Sequence, residues 1–387
     1  MTVVDRSLSP AVFRSWFPSL ADQTYLASCS VAAASEPVLD ALRQMCADFA
    51  GGNPWPAFEQ AVDAARGRFA RLIGANDEQV AVVPNVSTGV YQAASALVWR
   101  GSRRRVLTSP AEWPGVAHVW LAQRIRGCDP IFVDVTGPHP ADAYLSVLDE
   151  RVRAVSVPLV SYLNGTRLPV ANLARAARAV DATVIVDASQ GLGVQPVDVD
   201  ELGCDYLVAS PSKYGLGLPG IAFLYARDPA GGDRRPTLTG WLGRVDPMAL
   251  DPFTLDWPTS ARRFETGTPP VTAAYAAAAG LSLVGSLDLA AVREHVLRLT
   301  ARAAQRLTDA GEQVNLPAAE QRGAHIALRD PHPERLAHWL AQQGIRTAPR
   351  GGLVRVACHY FNTEADVDAV TDAVRAYRHT PEGRPRP

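Results

Sequence analysis

Short apolar runs alternate with longer helical patterns between residues 60 and 227, and this alternation constrains the fold more than any other feature of the chain. Parallel strands need a crossover connection, so the pattern is typical of a mostly parallel sheet covered by helices. We predict an α/β fold whose large domain has a mostly parallel seven-stranded sheet, with strands at residues 79–84, 105–110, 130–135, 154–160, 183–189, 205–210 and 220–226.

The remainder of the chain predicts a smaller α/β unit after a long irregular segment. Residues 228–270 are rich in Pro and Gly without periodicity. Long loops of this kind usually cover a site or an interface, and we expect this one to close over the pocket. Residues 287–311 have the pattern of a long amphipathic helix that links two lobes. We expect a large domain at 15–285, whose N-terminal segment is free to join the small domain, a small C-terminal α/β domain at 286–378 and a disordered tail at 379–387.

Charge and cysteine usage bound the function classes. The formal net charge is -1 and no long run of one sign occurs, so we expect no nucleic-acid partner and no membrane partner. No secretory signal or apolar run of transmembrane length is present in the sequence, which predicts a cytoplasmic protein. The five cysteines are scattered without a C-x-x-C spacing, so we expect free thiols and no metal site.

Lys213 is the only lysine among the 38 basic side chains. The others are arginines, which keep their proton in proteins and cannot serve as amine nucleophiles. If the chain performs imine chemistry, Lys213 is the one side chain available for it.

Polar side chains follow two predicted strands. Asp187 lies near the end of the strand at 183–189 and Gln190 directly follows it, at the edge where open α/β sheets bind ligands. Asp187 also fits a helix cap. Ser210, Ser212 and Lys213 end the next strand. A lysine in a loop is usually a solvated charge, but the sole lysine beside two hydroxyls favours a functional role.

The glycines after Lys213 have a G-x-G-x-x-G spacing at Gly215, Gly217 and Gly220. A dinucleotide-binding fingerprint needs a helix after the glycines, which places the pyrophosphate at the helix N-terminus. Here Pro219 and the run IAFLY predict a turn into a strand, so we exclude dinucleotide binding.

Together these motifs resemble the class V aminotransferase family of fold type I enzymes that depend on pyridoxal 5'-phosphate (PLP), which includes cysteine desulfurases, isopenicillin N epimerase-like proteins and C-S lyases. The resemblance spans nearly the whole chain. It implies that Lys213 is bonded to the aldehyde carbon of PLP, that Asp187 binds the pyridine nitrogen and that Gln190 binds the ring oxygen. Ser210 and Ser212 would bind the phosphate.

Three further segments carry the resemblance. Ser87 and Thr88, in the segment 84–97, would offer amides and hydroxyls to the phosphate, with a plain helix cap as the alternative. The segment 262–270 resembles an R-F-E-x-G-T element, which implies that Thr268 reaches the phosphate of a neighbouring subunit, in a homodimer with shared active sites. The late strand implies that Arg355 binds the α-carboxylate of a small amino-acid-type substrate. Because the chain has so many arginines, a structural ion pair competes with that interpretation of Arg355.

The chain also departs from its relatives. Trp113 stands where desulfurases have a histidine stacked on the cofactor; an indole stacks equally well but cannot act as a base. No cysteine lies shortly before the late strand, so we do not expect a persulfide-forming desulfurase. Either Tyr162 or Asn164 would contact the cofactor or the substrate.

The resemblance implies a PLP-dependent lyase or transferase acting on an amino acid or cysteine S-conjugate. C-S bond cleavage by β-elimination, in small-thiol or natural-product metabolism, is the leading hypothesis. Transamination, decarboxylating oxidative deamination and epimerisation are the alternatives, because the fold does not separate them. A regulatory or scaffold protein of the same fold is the non-enzyme alternative, against which the intact set of Asp187, Gln190 and Lys213 argues.

Overall fold

The computed structural model describes residues 8–137, 139–231 and 234–383. Its helices are α1 (Pro10–Ser15), α2 (Glu36–Ala50), α3 (Trp55–Leu72), α4 (Val86–Ser95), α5 (Pro114–Ala122), α6 (Pro140–Leu145), α7 (Val170–Ala179), α8 (Val199–Leu202), α9 (Val271–Gly285), α10 (Leu289–Asp309), α11 (Pro333–Gln342) and α12 (Glu364–His379). Its strands are β1 (Thr24–Tyr25), β2 (Val80–Val83), β3 (Arg105–Thr108), β4 (Asp129–Phe132), β5 (Val152–Pro158), β6 (Thr183–Asp187), β7 (Tyr206–Ala209), β8 (Ala222–Ala226), β9 (Val314–Asn315), β10 (His325–Arg329), β11 (Ile345–Arg346), β12 (Ala348–Arg350) and β13 (Leu353–Ala357).

The seven predicted strands of the large sheet all form, in the order β2-β8-β7-β6-β5-β3-β4. Pairs from β7 to β4 are parallel, whereas β8 is antiparallel to both β2 and β7. Alternate residues enter two hydrophobic clusters: Val184 and Val186 belong to one, and Ile185 and Val208 to the other. Because both faces are covered, these strands read as continuous apolar runs in the sequence.

Helix α9 supports the loop that follows β7. This alanine-rich helix packs against α2 and α3. At Gly280, a Cβ atom would lie 2.6 Å from the backbone carbonyl of Leu216, so the absence of a side chain lets the helix approach the loop. The segment that carries Lys213 is thereby held against a rigid helix.

The C-terminal part forms an antiparallel sheet in the order β12-β13-β10-β9. Helices α10 and α11 pack against this sheet, and α12 packs against both helices. Strand β1, from the N-terminal segment, pairs in parallel with β11, and Phe13 and Phe17 share a hydrophobic cluster with Phe361. The N-terminal segment therefore packs with the C-terminal layer. The predicted boundary at residues 285 and 286 falls between α9 and α10, and the division into two domains stays a proposal.

The segment 228–270 contains short 3₁₀ turns but neither α-helix nor β-strand among its described residues. It packs beside α4, where Gln92 Nε2 donates hydrogen bonds to the backbone carbonyls of Leu238 and Phe264. None of its described residues lines the pocket presented below. The expectation that the segment closes over the pocket of its own chain is therefore wrong, because its contacts hold it beside α4.

Ordered structure extends into the predicted tail. Helix α12 ends at His379, and the backbone N–H groups of Thr380 and Gly383 donate to the carbonyls of Tyr377 and Thr380. Residues 384–387 of the predicted disordered tail lie outside the described residues. Among the described residues no single helix is long and apolar enough to cross a membrane; α9 and α10 meet the criterion only as a pair bent by 87°.

Candidate active site

Most of the predicted site residues lie around one pocket. It has a volume of about 320 Å³ and lies at the carboxyl ends of β6 and β7, where ligands of open α/β sheets bind. The predicted residues that line it are Ser87, Trp113, Asp187, Gln190, Ser210, Ser212, Lys213 and Arg355. A larger groove of about 790 Å³, bordered by α2, α3 and α9, contains none of them.

Lys213 presents an amine without a partner. No hydrogen bond or ion pair joins its Nζ to any residue that the structure describes, and the Nζ lies 6.0 Å from the centroid of the Trp113 ring. Burial lowers the pKa of Lys213, and the positive charges of Arg355 and Arg350 lower it further, while Asp187 opposes the shift. A lowered pKa increases the fraction of neutral amine, which is the form that acts as a nucleophile or base.

Asp187 lies at the end of β6, in a neighbouring strand to the one that leads to Lys213. One carboxylate oxygen, Oδ1, accepts a hydrogen bond from the backbone N–H of Ser189 over 2.8 Å. This contact fixes the side chain in a tight turn, so Asp187 does not act as the cap of a following helix. The carboxylate is buried at 9% exposure and retains capacity to bind a cationic group.

Glu112 is a second buried carboxyl group near Asp187, and the sequence analysis did not identify it. Its Oε1 accepts a hydrogen bond of 2.9 Å from the Ser156 hydroxyl, and its Oε2 has no partner among the described residues. Burial and the negative charge of Asp187 raise the pKa of Glu112 well above its usual value. A raised pKa favours the neutral form of the Glu112 carboxyl group.

Gln190 is fixed by a segment far away in the sequence. Its Nε2 donates to the backbone carbonyl of Cys29 over 3.0 Å. Its Oε1 is buried and has no hydrogen-bond partner among the described residues. A buried amide with unused hydrogen-bonding capacity is poised to bind a polar ligand atom.

Ser210, Ser212 and the start of α4 bring hydrogen-bond donors to one side of the pocket. The hydroxyls of Ser210 and Ser212 are 2.9 Å apart. Asn85, at the N-cap of α4, accepts a hydrogen bond from the N–H of Thr88, so the first-turn N–H groups of Val86 and Ser87 have no acceptor among the described residues. Free helix N-terminal amides beside hydroxyls are a favourable environment for an anion.

Trp113 forms an aromatic wall of the pocket. Trp113 is 38% exposed, and its ring packs edge-on against the Tyr162 ring, with centroids 5.1 Å apart and an interplanar angle of 85°. The Cζ atom of Arg350 lies 5.8 Å from the Trp113 ring centroid. The indole therefore offers a surface for a planar ligand, and a guanidinium lies beside it.

Arg355 is buried, at 2% exposure, without a carboxylate partner among the described residues. Its Nε donates to the carbonyl of Ala348 and its Nη1 to the carbonyl of Tyr162. These bonds fix the guanidinium but leave its charge uncompensated, so the competing interpretation as a structural ion pair is wrong. The structure instead presents a fixed cation to the pocket.

Four predicted residues do not line this pocket in the single chain: Thr88, Thr268, Asn164 and Tyr162. Thr88 bonds to Asn85 through both its N–H and its hydroxyl, and Thr268 is exposed on the segment beyond the pocket. Asn164 is engaged in a local turn, where its Oδ1 accepts from the N–H of Thr166. Of the two alternatives at 161–169, Tyr162 is therefore nearer to the pocket, through its carbonyl bond to Arg355 and its ring contact with Trp113.

Sequence reasoning missed three residues besides Glu112. Cys29 and Ser30 line the pocket because the pairing of β1 with β11 brings the N-terminal segment there, and no motif marks them. Arg350 lines it too, and the adjacent Gly351-Gly352 pair, which is a hairpin signal, could have revealed it. All five cysteines are free, as predicted.

Comparisons with known proteins agree with this geometry. The family profile of aminotransferase class-V matches residues 24–370. The chain is 34% identical over 371 residues to the uncharacterized aminotransferase YcbU of Bacillus subtilis (strain 168), covering 95% of this chain and 98% of that protein.

Two solved structures have a similar fold. The apo structure of a cysteine desulfurase from Thermococcus onnurineus NA1 superposes with a TM-score of 0.85 at 20% identity, covering 97% of this chain and 99% of that one. The cystine C-S lyase C-DES, in complex with its reaction product cysteine persulfide, superposes with a TM-score of 0.83 at 20% identity, covering 93% and 99% of the two chains. At these identities the likeness establishes the fold alone.

Proposed function

The chain belongs to the class V aminotransferase family of PLP-dependent enzymes, and from that premise we propose that it cleaves the C-S bond of a cysteine S-conjugate by β-elimination. The observation that carries this proposal is the partnerless amine of Lys213, with its lowered pKa, in one pocket with Asp187 and the unpaired guanidinium of Arg355. An amine, an anion and a fixed cation are the groups that an amino-acid-processing site of this family requires.

The side chains of the pocket fit PLP, the family's cofactor. The free amides of α4 and the hydroxyls of Ser210 and Ser212 suit a phosphate, and Asp187 suits a protonated pyridine nitrogen. The unused hydrogen-bonding capacity of Gln190 suits the ring oxygen, and Trp113 offers a stacking surface. When bound, PLP supplies an electron sink for the electrons of a broken bond to the substrate Cα.

Lys213 is the base in this proposal. Its neutral Nζ removes the proton from the substrate Cα, while Arg355 holds the α-carboxylate and so fixes which bond faces the amine. A thiol has a pKa of about 8.5, so the sulfur leaves from Cβ as a thiolate without an acid to protonate it. β-Elimination therefore needs one base and no second catalytic group, which agrees with a pocket whose aromatic wall, Trp113, cannot transfer protons.

We propose further that the chain is not a persulfide-forming desulfurase in which Cys29 or Cys358 accepts the sulfur. Burial raises the pKa of the Cys29 thiol in the pocket, and burial also raises the pKa of Cys358 in β13. The thiolate is the reactive form, so a raised pKa disfavours attack on a substrate sulfur. Cys29→Ser is expected to retain C-S cleavage, and mass spectrometry of the wild-type protein after turnover is expected to find no persulfide. A persulfide on Cys29 of the wild-type protein, together with loss of activity in Cys29→Ser, would contradict this proposal.

A homodimer with shared sites is part of the proposal. The segment 228–270 exposes several large apolar side chains, such as Trp241, Met248 and Phe253, the last at 95% exposure, and such a surface is typical of an interface. If Thr268 acts in the partner's site, mixed dimers of Lys213→Ala and Thr268→Asp regain one complete site. If both variants are inactive alone and their mixture is active, the result supports active sites shared between subunits. If verified mixed dimers stay inactive, the result contradicts shared sites.

We also propose that the protein is cytoplasmic. The reaction is tested by analysing the products that the purified holoenzyme forms. Pyruvate, ammonia and a free thiol from a cysteine S-conjugate support β-elimination. Aminotransferase activity is the second candidate, because the relative YcbU carries that name. Transamination requires a keto acid as amino acceptor. Release of CO2 with consumption of O2 identifies oxidative deamination. Loss of the substrate's optical activity identifies epimerisation.

A further inference from the structure

Arg350 has no anionic partner among the described residues. None of the hydrogen bonds or ion pairs among the described residues involves its guanidinium, although it lines the pocket and lies 5.8 Å from the Trp113 ring centroid. Three other arginines of the C-terminal layer are differently placed, since Arg302, Arg306 and Arg378 form ion pairs with acidic side chains. A free guanidinium at the mouth of a substrate pocket is suited to an anion that the ligand supplies.

The β12–β13 hairpin aims Arg350 and Arg355 in the same direction. Arg355 pairs with Ala348, and Arg350 pairs with Leu353, across an antiparallel ladder. Residues opposite each other share a face, and Ala348 and Arg350 are two residues apart, so all four side chains lie on one face. Both arginines therefore belong to the face that meets the pocket.

A two-residue turn fixes this arrangement. Gly351 and Gly352 have φ angles of 55° and 79°, the left-handed region that a tight hairpin turn between two strands requires. At Gly351 a Cβ atom would lie 3.2 Å from Leu163 Cδ1. The glycines thus keep Arg350 at the last position of β12, beside the turn of the hairpin, while Arg355 is buried deeper.

The two arginines differ in the way that two subsites require. Arg355 is buried and fixed by the carbonyls of Ala348 and Tyr162, which suits a group common to all substrates. Arg350 is exposed and bonded to no side chain of the described residues, which suits a group at the outer end of a ligand. Both positive charges also lower the pKa of Lys213, which indicates that they act on the same site.

We propose that Arg350 binds an anionic group at the end of the substrate side chain, so that the preferred substrates are cysteine S-conjugates whose sulfur substituent carries a carboxylate. This inference rests on the proposed function for the identity of the substrate backbone. Arg355 holds the α-carboxylate, Arg350 holds the distal carboxylate, and the Trp113 ring contacts the chain between them.

The turnover test compares S-carboxyethyl-L-cysteine with S-carbamoylethyl-L-cysteine, which have the same shape but differ by one charge. The wild-type holoenzyme is expected to have a KM about tenfold lower for the carboxylate, which is the usual contribution of a charge-assisted hydrogen bond. Arg350→Gln is expected to abolish this preference, so that the two substrates have the same KM. The matched control Arg346→Gln, at an exposed arginine of β11 that does not line the pocket, is expected to retain it.

A binding test separates this inference from the proposed function. Thiodipropionate is S-carboxyethylcysteine without its amino group, so it cannot react, and its monoamide lacks one charge. Calorimetry is expected to give about tenfold tighter binding of the diacid to wild-type protein and equal binding of both to Arg350→Gln. If this preference holds but no thiol is released from any conjugate, the proposed function fails and the inference stands.

The inference is overturned if wild-type protein binds the diacid and the monoamide equally well. It is also overturned if Arg350→Gln retains the preference, or if it weakens both ligands equally, since Arg350 would then serve the common carboxylate or a contact unrelated to the distal anion.

Discussion

The guanidinium of Arg355 donates a hydrogen bond of 2.8 Å to the backbone carbonyl of Tyr162, and no carboxylate of the described residues neutralises it. Burying an unpaired charge is unfavourable for folding, so its persistence in a pocket indicates a ligand that supplies the opposite charge. The same contact links the late strand β13 to the residues beside Trp113. Arg355, which we propose binds the substrate carboxylate, is thus bonded to the residue whose ring packs against Trp113.

Arg355→Lys tests the role of this guanidinium in substrate binding. Lysine keeps the charge but loses the two-pronged geometry, so we expect KM to rise about tenfold to a hundredfold with a smaller change in kcat. Steady-state kinetics with a cysteine S-conjugate and with its α-carboxamide measure the effect. The carboxamide should react poorly with wild-type protein and no worse with the variant; an equal loss on both compounds would instead indicate a structural defect.

Asp187→Asn tests the anion of the site. Asparagine still accepts the hydrogen bond from the N–H of Ser189 but carries no charge, so we expect kcat to fall about a hundredfold or more while the protein still binds PLP. Asp200→Asn, at an exposed aspartate on α8, is the control and should have wild-type activity. A fully active Asp187→Asn enzyme would show that this carboxylate does not support the cofactor's ring nitrogen.

The buried histidine His325 predicts how stability depends on pH. Burial and the positive charges of Arg355 and Lys213 lower its pKa from 6.5 to about 3. The unfolded chain therefore binds a proton below pH 6.5 that the folded chain does not, so this contribution to stability is complete above pH 6.5 and decreases as the pH falls. Between a pH of about 8 and a pH of about 5 the loss is about 2 kcal/mol.

Urea unfolding at both pH values measures this loss. His325→Leu should reduce the difference in unfolding free energy between them, because leucine does not titrate. His338→Leu, at an exposed position of α11, is the matched control and should leave the difference unchanged. An identical pH dependence in wild-type protein and His325→Leu would refute the assignment.

Much of the fold could be predicted from the sequence, because buried strands are continuous apolar runs. All seven strands of the large sheet were predicted, and the pairing of β6 with β7 brings Asp187 and Lys213 to one edge, as parallel strands require. The antiparallel direction of β8 could not be predicted from its composition, since it is as apolar as its neighbours.

The residues that the sequence did not reveal come from distant segments. Cys29 reaches the pocket through the pairing of β1 with β11, and its neighbours in the sequence carry no chemical pattern. Arg350 is one of many arginines, so its residue type alone carried no information. Only the structure of the β12–β13 hairpin shows that Arg350 lines the pocket without an acidic partner among the described residues.

The attachment of PLP to Lys213 is the central claim, and borohydride reduction of the holoenzyme followed by peptide mapping tests it most directly. Because the chain has one lysine, we expect a single reduced adduct, on the peptide that contains Lys213, and neither adduct nor turnover in Lys213→Ala. An adduct on another residue, or normal turnover by Lys213→Ala, would contradict the account.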